Sequence, residues 1–448
     1  MKKSLVFILL IVSLFLFVMA AGAQTEVSKW ETIASDLILN PYSEVIAVKG
    51  GRNPNYVLMD ADGNKIGDTG FTNMDSVYGL PMFEFVDSST GKGGVMDAEG
   101  NILLPAEYEW YDTLSEKWTV GLILDNSGTE KNYDMKYNNY TGSGEVYLIL
   151  EQADFYFEGK KVGSLGHDEM KSLGKAAGNY VSVLNRSDEY VWYNSQFEKA
   201  PDESENTYEY RHTREDGFDV YYHQGSGQKA FMDGCTLNSD EVVDNYLYDD
   251  GAVYDLQGNL VFTAKHDYME DPFHFTNGFE VFPLSLESLE VLIDEKGNEV
   301  IPPQYYDINP DTLESGYVLV TLKTEDNNRL IGWVKTNGEV SCEVEYKYED
   351  YSVFGNFMRS KPDDDGLITI VSAEGELSGY YKKLFPCGLI SAGVVNENDE
   401  MGVVDIFGNI VVPFSKDYKN IKLNNAGTIA AVQVDSNLYE IYHITLTK

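Results

Sequence analysis

Cysteine is nearly missing from this chain: 448 residues carry three, Cys235, Cys342 and Cys387. Three thiols cannot build a disulfide framework, and no Cys-x-x-Cys spacing is available for a zinc or redox site. Buried free thiols are the expectation, with a single Cys342–Cys387 bridge as the alternative in an oxidising compartment. Histidine is scarce as well. His167, His212, His223, His266, His274 and His443 never form the His-Glu-x-x-His of a zinc protease. No Gly-x-Ser-x-Gly nucleophile elbow occurs, and Gly225-Ser226-Gly227 reads as a turn. No glycine-rich phosphate loop precedes a helix. With 73 Asp and Glu present, a carboxylate pair of the glycosidase kind is always available on paper, because spacing in sequence says nothing about it. No cofactor is expected, and the chain reads as non-catalytic.

Basic residues are also few. Lys and Arg number 33 against 73 acidic residues, a formal charge of −40. Such a field repels nucleic acid and anionic membrane surfaces. It favours cationic partners, or simply keeps the protein soluble. One long apolar run exists, at the start. Lys2 and Lys3, the apolar stretch from Leu5 to Val18 and the small residues Ala21-Gly22-Ala23 predict a secretory signal peptide over residues 1–23, with Gln24 first in the mature chain. The apolar stretch falls short of the roughly 20 residues a membrane-spanning helix needs. No cysteine stands at the cleavage site for a lipid anchor, and Tyr439 to Lys448 reads as one last strand. The mature chain is therefore expected to be secreted or extracytoplasmic (periplasm or cell surface), without a membrane anchor.

What the chain does have is a short motif that keeps returning. An apolar run is followed by Asp-x-x-Gly-Asn/Glu and a second apolar run. It reads Asp60-Ala61-Asp62-Gly63-Asn64 near the start, Asp97-Ala98-Glu99-Gly100-Asn101 next, and Asp405-Ile406-Phe407-Gly408-Asn409 near the end. Asp can accept a hydrogen bond from the backbone two residues on, and Gly takes φ > 0 without steric cost, so each motif predicts a β-hairpin turn. The flanking Val, Ile, Leu, Tyr and Phe suit strands. Turn glycines at 63, 100, 258, 297, 338, 375 and 408 set a period near 37 residues, and the gap from Gly100 to Gly258 has room for about three degenerate units. Candidates turn near Gly159, Gln196 and Gly227. A Pro often ends the return strand, as at Pro105, Pro302, Pro303 and Pro413, where no ladder donor is needed. The structural turn positions singled out are Asp60, Gly63, Asp97, Gly100, Asp255, Gly258, Asp294, Gly297, Gly332, Trp333, Gly338, Gly375, Asp405 and Gly408. A calcium loop at Asp60 is excluded, because the sixth and twelfth places hold Lys65 and Phe71, not Gly and Glu. A metal site at the motif Asp residues is not expected either, since each already serves its turn.

With Ile331-Gly332-Trp333-Val334-Lys335-Thr336-Asn337-Gly338-Glu339 as its best match, the motif resembles the WG-type β-repeat of bacterial exported and surface proteins. Val95, Val403 and Leu292 stand where that Trp would be in other units, and Lys335 replaces the usual Asp. The resemblance runs from about Asn55 to Phe414, strongly at both ends and weakly in the middle. It implies an all-β repeat scaffold with binding roles and transfers no catalytic residues.

The expected fold is all-β: tandem meanders of about 37 residues, propeller-like, with an open curved array as the alternative. The expected division is a signal peptide over 1–23, N-terminal repeats over 24–125, degenerate central repeats with an insertion over 126–240, and C-terminal repeats over 241–448. Val45-Ile46-Ala47-Val48 and Ile429 to Val434 look like complementary pieces of one unit. His167 to Ala177 is the one expected helix, with Met170, Leu173 and Ala177 at near-helical spacing. Three functions fit: a secreted non-catalytic scaffold for a protein or glycan partner, an exported polysaccharide-acting hydrolase with a carboxylate site in the repeat channel, or a structural module of a surface assembly. An exposed aromatic cluster on one face would favour the first, and carboxylates converging in one pocket the second.

Overall fold

Apolar runs separated by Asp- and Gly-rich turns fold into antiparallel meanders that follow one another along the chain. The computed structural model describes Gln24 to Thr447 except residues 51–54, 109, 126–148, 178, 189, 200–207, 214–218, 224–228, 232–241, 244–245, 250–251, 256–259, 264–276 and 285–288. The fold is all-β, a tandem series of antiparallel meanders. Tyr381–Cys387, Ser391–Asn396, Met401–Asp405 and Ile410–Ser415 pair in that order as one four-stranded meander, and Asp307–Asn309, Tyr317–Lys323, Arg329–Lys335 and Val340–Lys347 as another. The second and third strands are buried over consecutive residues, for example Ser391 to Val394 and Val318 to Thr321. Neighbours on both faces remove the period-two exposure that a half-solvated strand shows. The fourth strand faces water on one side, and Val340–Lys347 alternates accordingly.

The chain divides into two compact units. One takes residues up to Ile102 together with Glu349–Lys448, and the other takes Leu103–Tyr348. In the first unit a sheet runs through Asn420–Leu423, Ile429–Gln433 and Leu438–Thr447 into β1 (Gln24–Leu39), β2 (Ile46–Gly50), β3 (Tyr56–Met59), β4 (Lys65–Ser76), β5 (Met82–Asp87) and β6 (Gly93–Asp97). β1 serves two meanders. Gln24 to Ile33 pairs with the last strand, from Gln24↔Thr447 to Ile33↔Leu438. After a bulge between Ala34 and Asp36, the remainder pairs with β2. Trp30, Ala34, Leu37, Ile46, Val48, Ile429, Ala431 and Ile441 form the core at this junction. The last meander is thus completed by Gln24 to Ile33, which corrects the expectation that Val45 to Val48 would do so. Ile46 to Val48 lies in β2, buried as a second strand of the following meander.

The second unit holds the central meanders, including Trp118–Asp125, Ile149–Phe157 and Lys160–Gly166 around Trp118, Phe155 and Val120. The expected helix at His167 to Ala177 is absent. His167 and Asp168 form a turn and Ser172–Ala177 is a strand paired with Tyr180–Leu184. Met170, Leu173 and Ala176 pack with Val181 and Val183, and that shared core overrides a weak helical spacing. A Cβ on Gly174 would lie 2.3 Å from Ser182 Oγ, so the strands approach closely there. The helical pieces described are two short 3-10 turns, Pro310–Ser315 and Tyr348–Asp350. Cys342 and Cys387 are free thiols. Cys235, the expected insertion and the candidate turn at Gly227 lie outside the described residues.

If β1 closes the last meander, Trp30→Ala should lower the stability of the first unit by about 3–5 kcal/mol. Ile33→Ala in the same strand, 62% exposed, should change it by less than about 0.5 kcal/mol. Urea midpoints at constant slope would measure both, and equal shifts would contradict this packing.

Candidate functional site

The motif turn has one geometry wherever the sequence is intact. At Asp60, Oδ1 accepts from the amides of Asp62 (3.0 Å) and Asn64 (2.7 Å), and Oδ2 accepts from Asn64 Nδ2 at 2.9 Å. Gly63 N–H closes the turn on Asp60 O at 3.1 Å with φ at +82°. The carboxylate therefore satisfies amides that a tight turn would leave bare. Asp97 with Gly100 and Asn101, Asp294 with Gly297 and Asn298, and Asp405 with Gly408 and Asn409 repeat it. Burial pushes the Asp294 carboxyl up, but the Asn298 side chain and the backbone donors outweigh it and hold the group below the usual range. Asp405 is fully buried and also accepts from Thr25 Oγ1 of β1.

The motif glycines do more than adopt φ > 0. A Cβ on Gly63 would stand 2.8 Å from the Trp30 ring, one on Gly297 2.3 Å from Phe262, one on Gly338 2.6 Å from Val300 O, and one on Gly100 3.3 Å from Ile66. Each turn thus rests on the outer strand of the preceding meander, and Trp30 Nε1 donates to Ala61 O at 2.9 Å across that contact. Gly375 differs: Ser372 takes the place of Asp, Ser372 pairs directly with Gly375, and its φ is +123°. Asp255 ends the strand Ala252–Asp255, and Gly258 lies outside the described residues. Gly332 and Trp333 sit in a strand. Between the pairs Ile331↔Tyr346 and Trp333↔Cys342 the partner strand bulges, and a Cβ on Gly332 would meet Glu343 O at 2.5 Å. Trp333 is fully buried beside it. The same bulge holds Pro302 and Pro303, between Leu292↔Ile301 and Glu290↔Tyr305, and Pro413 after Val403↔Val412. These prolines stand inside the return strand, at its bulge and not at its end, where the missing N–H costs nothing.

A second set of contacts, missed by sequence reasoning, ties the other turn at this end of each meander. The first and third turns of an antiparallel meander share one end, and Ile406 N bonds Ile390 O there at 3.0 Å. In the first unit Asn356 Nδ2 donates to Leu389 O (2.9 Å), Leu389 N to Asn425 O (2.8 Å), Asn424 Nδ2 to Ser43 O (3.3 Å) and Asn40 Nδ2 to Met82 O (2.8 Å). Each bond joins one meander to the next, and Asn40, Asn356 and Asn424 are buried. No fixed spacing marks these asparagines, so no signal could have found them.

Similarity to known proteins follows the same residues. Positions 292–322, from the strand before the Asp294 turn to the strand Tyr317–Lys323, match the family described as WG containing repeat. This stretch is similar to the WG-type β-repeat. No curated protein is significantly similar in sequence. Among solved structures, BamB from Moraxella catarrhalis is 8% identical, over 72% of this chain and 100% of that one, with a TM-score of 0.22. The WD40 beta propeller domain of Doa1 is 13% identical, over 59% of this chain and 86% of that one, with a TM-score of 0.16.

The carboxylates of the motif turns are occupied by structure. Among the described residues no three His, Cys, Asp or Glu side chains are placed to hold a metal ion. Asp154, buried, accepts from Tyr108 Oη (2.8 Å), Gln152 Nε2 (2.6 Å), Ser164 Oγ (2.7 Å) and Lys161 Nζ (2.6 Å). Burial opposes its charge, yet Lys161, Ser164, Gln152 and Tyr108 together hold its carboxyl below the usual range. It has no lone pair to spare for a general base. A shallow groove of ≈ 400 Å³ lies between the second half of β1 and Asn420–Leu423, crossed by Lys422 Nζ on Leu37 O at 2.9 Å. Its one carboxylate, Asp36, takes the Tyr56 hydroxyl.

The two tasks of the turn glycine can be separated. Gly91 has φ at +72° with nothing near its missing Cβ, whereas Gly63 has φ at +82° and the Trp30 ring against it. Gly91→Ala should cost about 1–2 kcal/mol for the left-handed backbone. Gly63→Ala should cost at least about 1 kcal/mol more, for overpacking. Equal unfolding midpoints for the two variants would refute the role of the turn as a contact between meanders.

Proposed function

We propose that this protein is an exported, non-catalytic WG-repeat scaffold that holds a protein or glycan partner at the turn end of its meanders. The observation that carries the reading is the exposure of Tyr42 and Tyr78, in first turns of meanders of the first unit, with Tyr78 94% exposed, and of Phe354, which ends the strand Tyr351–Phe354 just before such a turn. Beneath them the buried asparagines fix the backbone. Aromatic rings on a rigid frame give contact area at little entropic cost. The charge of this end supports the reading. The first-unit turns over 40–45, 60–64, 77–81, 97–101, 372–375, 405–409 and 424–428 contain no Lys or Arg. Lys92, Lys361, Lys416 and Lys419 belong to the opposite turns and the links between meanders, and Lys382 and Lys383 to the far end of the strand Tyr381–Cys387. A neutral glycan or a cationic protein fits such an end better than an anionic polymer.

The test is retention of the mature chain, Gln24 to Lys448, on cell-wall polymers, mucin glycans and an immobilised basic protein, at low and high salt. Saturable retention on one of them is expected. Replacing Tyr42 and Tyr78 together by Ala should weaken it at least about tenfold with no change in unfolding midpoint. Retention on none, or retention unchanged in the double variant, would sink the proposal.

A further inference from the structure

The last strand carries a histidine whose ring meets the first meander. His443 Nδ1 stands 3.3 Å from Asp62 Oδ1, and Nε2 stands 3.7 Å from Glu44 Oε2. Glu44 belongs to the turn between β1 and β2, and Asp62 to the turn between β3 and β4. One imidazole therefore reaches both turns at the same end of the first meander, from a strand 381 residues away in sequence. In the ladder His443 lies opposite Ser28 of β1 and Ile429. Ser28 Oγ donates to Asp62 Oδ1 at 3.3 Å, and Thr445 Oγ1 lies 3.5 Å from His443 Nε2. Thr428 bonds Glu44. The charged groups facing the ring are thus Glu44 and Asp62, both acidic. Lys29 is engaged elsewhere, 2.6 Å from Glu440 and over the Tyr442 ring.

We propose that His443 is a proton-operated latch that fastens the last strand to both turns of the first meander. An imidazolium carries two N–H donors and one positive charge, one donor for each carboxylate. A neutral ring keeps one donor and leaves Glu44 and Asp62 without a countercharge. The shifts agree with this geometry. The bond to Glu44 holds the His443 pKa above the ordinary 6.5, against burial, with Asp62 adding to it. The bond to His443 holds Glu44 below its ordinary 4.5, again against burial. The stabilisation from His443 is then complete below pH 6.5 and is lost as pH rises through its raised folded value. That from Glu44 is present above 4.5 and is lost as pH falls through its lowered folded value. The latch is closed between those two limits and opens on the alkaline side by losing one proton. Tyr42 is two residues from Glu44, so partner binding would inherit this pH dependence. That consequence alone rests on the binding reading; the latch does not.

Ring-proton NMR titration of the mature protein, with amide exchange of the last strand at about pH 6 and about pH 9, tests the latch. His443 should titrate above 6.5, and exchange in Leu438–Thr447 and at residues 40–45 should speed up several-fold beyond the intrinsic pH effect when it deprotonates. In Glu44→Gln the His443 titration should move down towards the ordinary value. In His443→Gln the exchange should be fast at both pH values once the intrinsic effect is removed. A His443 that titrates at or below 6.5, or a His443→Gln protein that keeps the wild-type pH response, would overturn the proposal. If His443→Gln does not fold, the wild-type and Glu44→Gln titrations decide the matter alone.

Discussion

A carboxylate that holds the amides of its own turn, and a glycine that lets this turn touch the strand before it, set the spacing from one meander to the next. A meander of three or four short strands cannot bury both faces by itself, so its stability comes from its neighbours. The contact at Gly63 shows how little room there is. The Trp30 ring occupies the place of a Cβ, and its indole N–H bonds the carbonyl of Ala61 in the same turn. At Asp405 the carboxylate reaches outward as well, to Thr25 of β1. Turn chemistry and stacking are one device here, so the motif recurs where a strand sequence is free to vary.

That coupling explains which parts of the fold were legible in sequence. Asp60, Asp97, Asp294 and Asp405 serve their turns in the manner their spacing implies. The middle of the chain was obscure because other residues take the same places. At Asn194 the side chain accepts from the amides of Gln196 and Glu198, while Phe197 adopts φ of +61° where glycine is usual. Near the C-terminal end, the turn opposite the Asp405 motif uses the same device, with Asn396 accepting from the amides of Asn398 and Glu400 and Asp399 at +65°. Geometry persisted where letters did not. The His167 to Ala177 segment misled for the opposite reason, since a few apolar residues at helical spacing mean little against a sheet that needs them. The Asn424–Ser43 bond and the His443 contacts join residues hundreds of positions apart, and periodicity carries no information at that range.

The distribution of charge has a physical counterpart in the same architecture. Acidic residues are plentiful, but in the turns they accept backbone amides, and Asp154 spends its oxygens on four donors. At Asp294 and Asp154 these donors hold the carboxyl below its usual range, which is the reverse of what a general acid requires. The aromatic residues divide by position: Trp118, Trp333 and Phe155 are buried between sheets, while Tyr42 and Tyr78 stand on turns. The buried rings and the exposed rings are therefore different residues.

The pairing of Gln24 to Ile33 with Leu438 to Thr447 bears on how the molecule is made. The first strand to emerge from the ribosome must wait for the last. Until then the edge of Gln24 to Ile33 is unpaired, and bringing such distant partners together carries a loop-closure cost in entropy. Closure of this ladder therefore waits on the synthesis of Leu438 to Thr447.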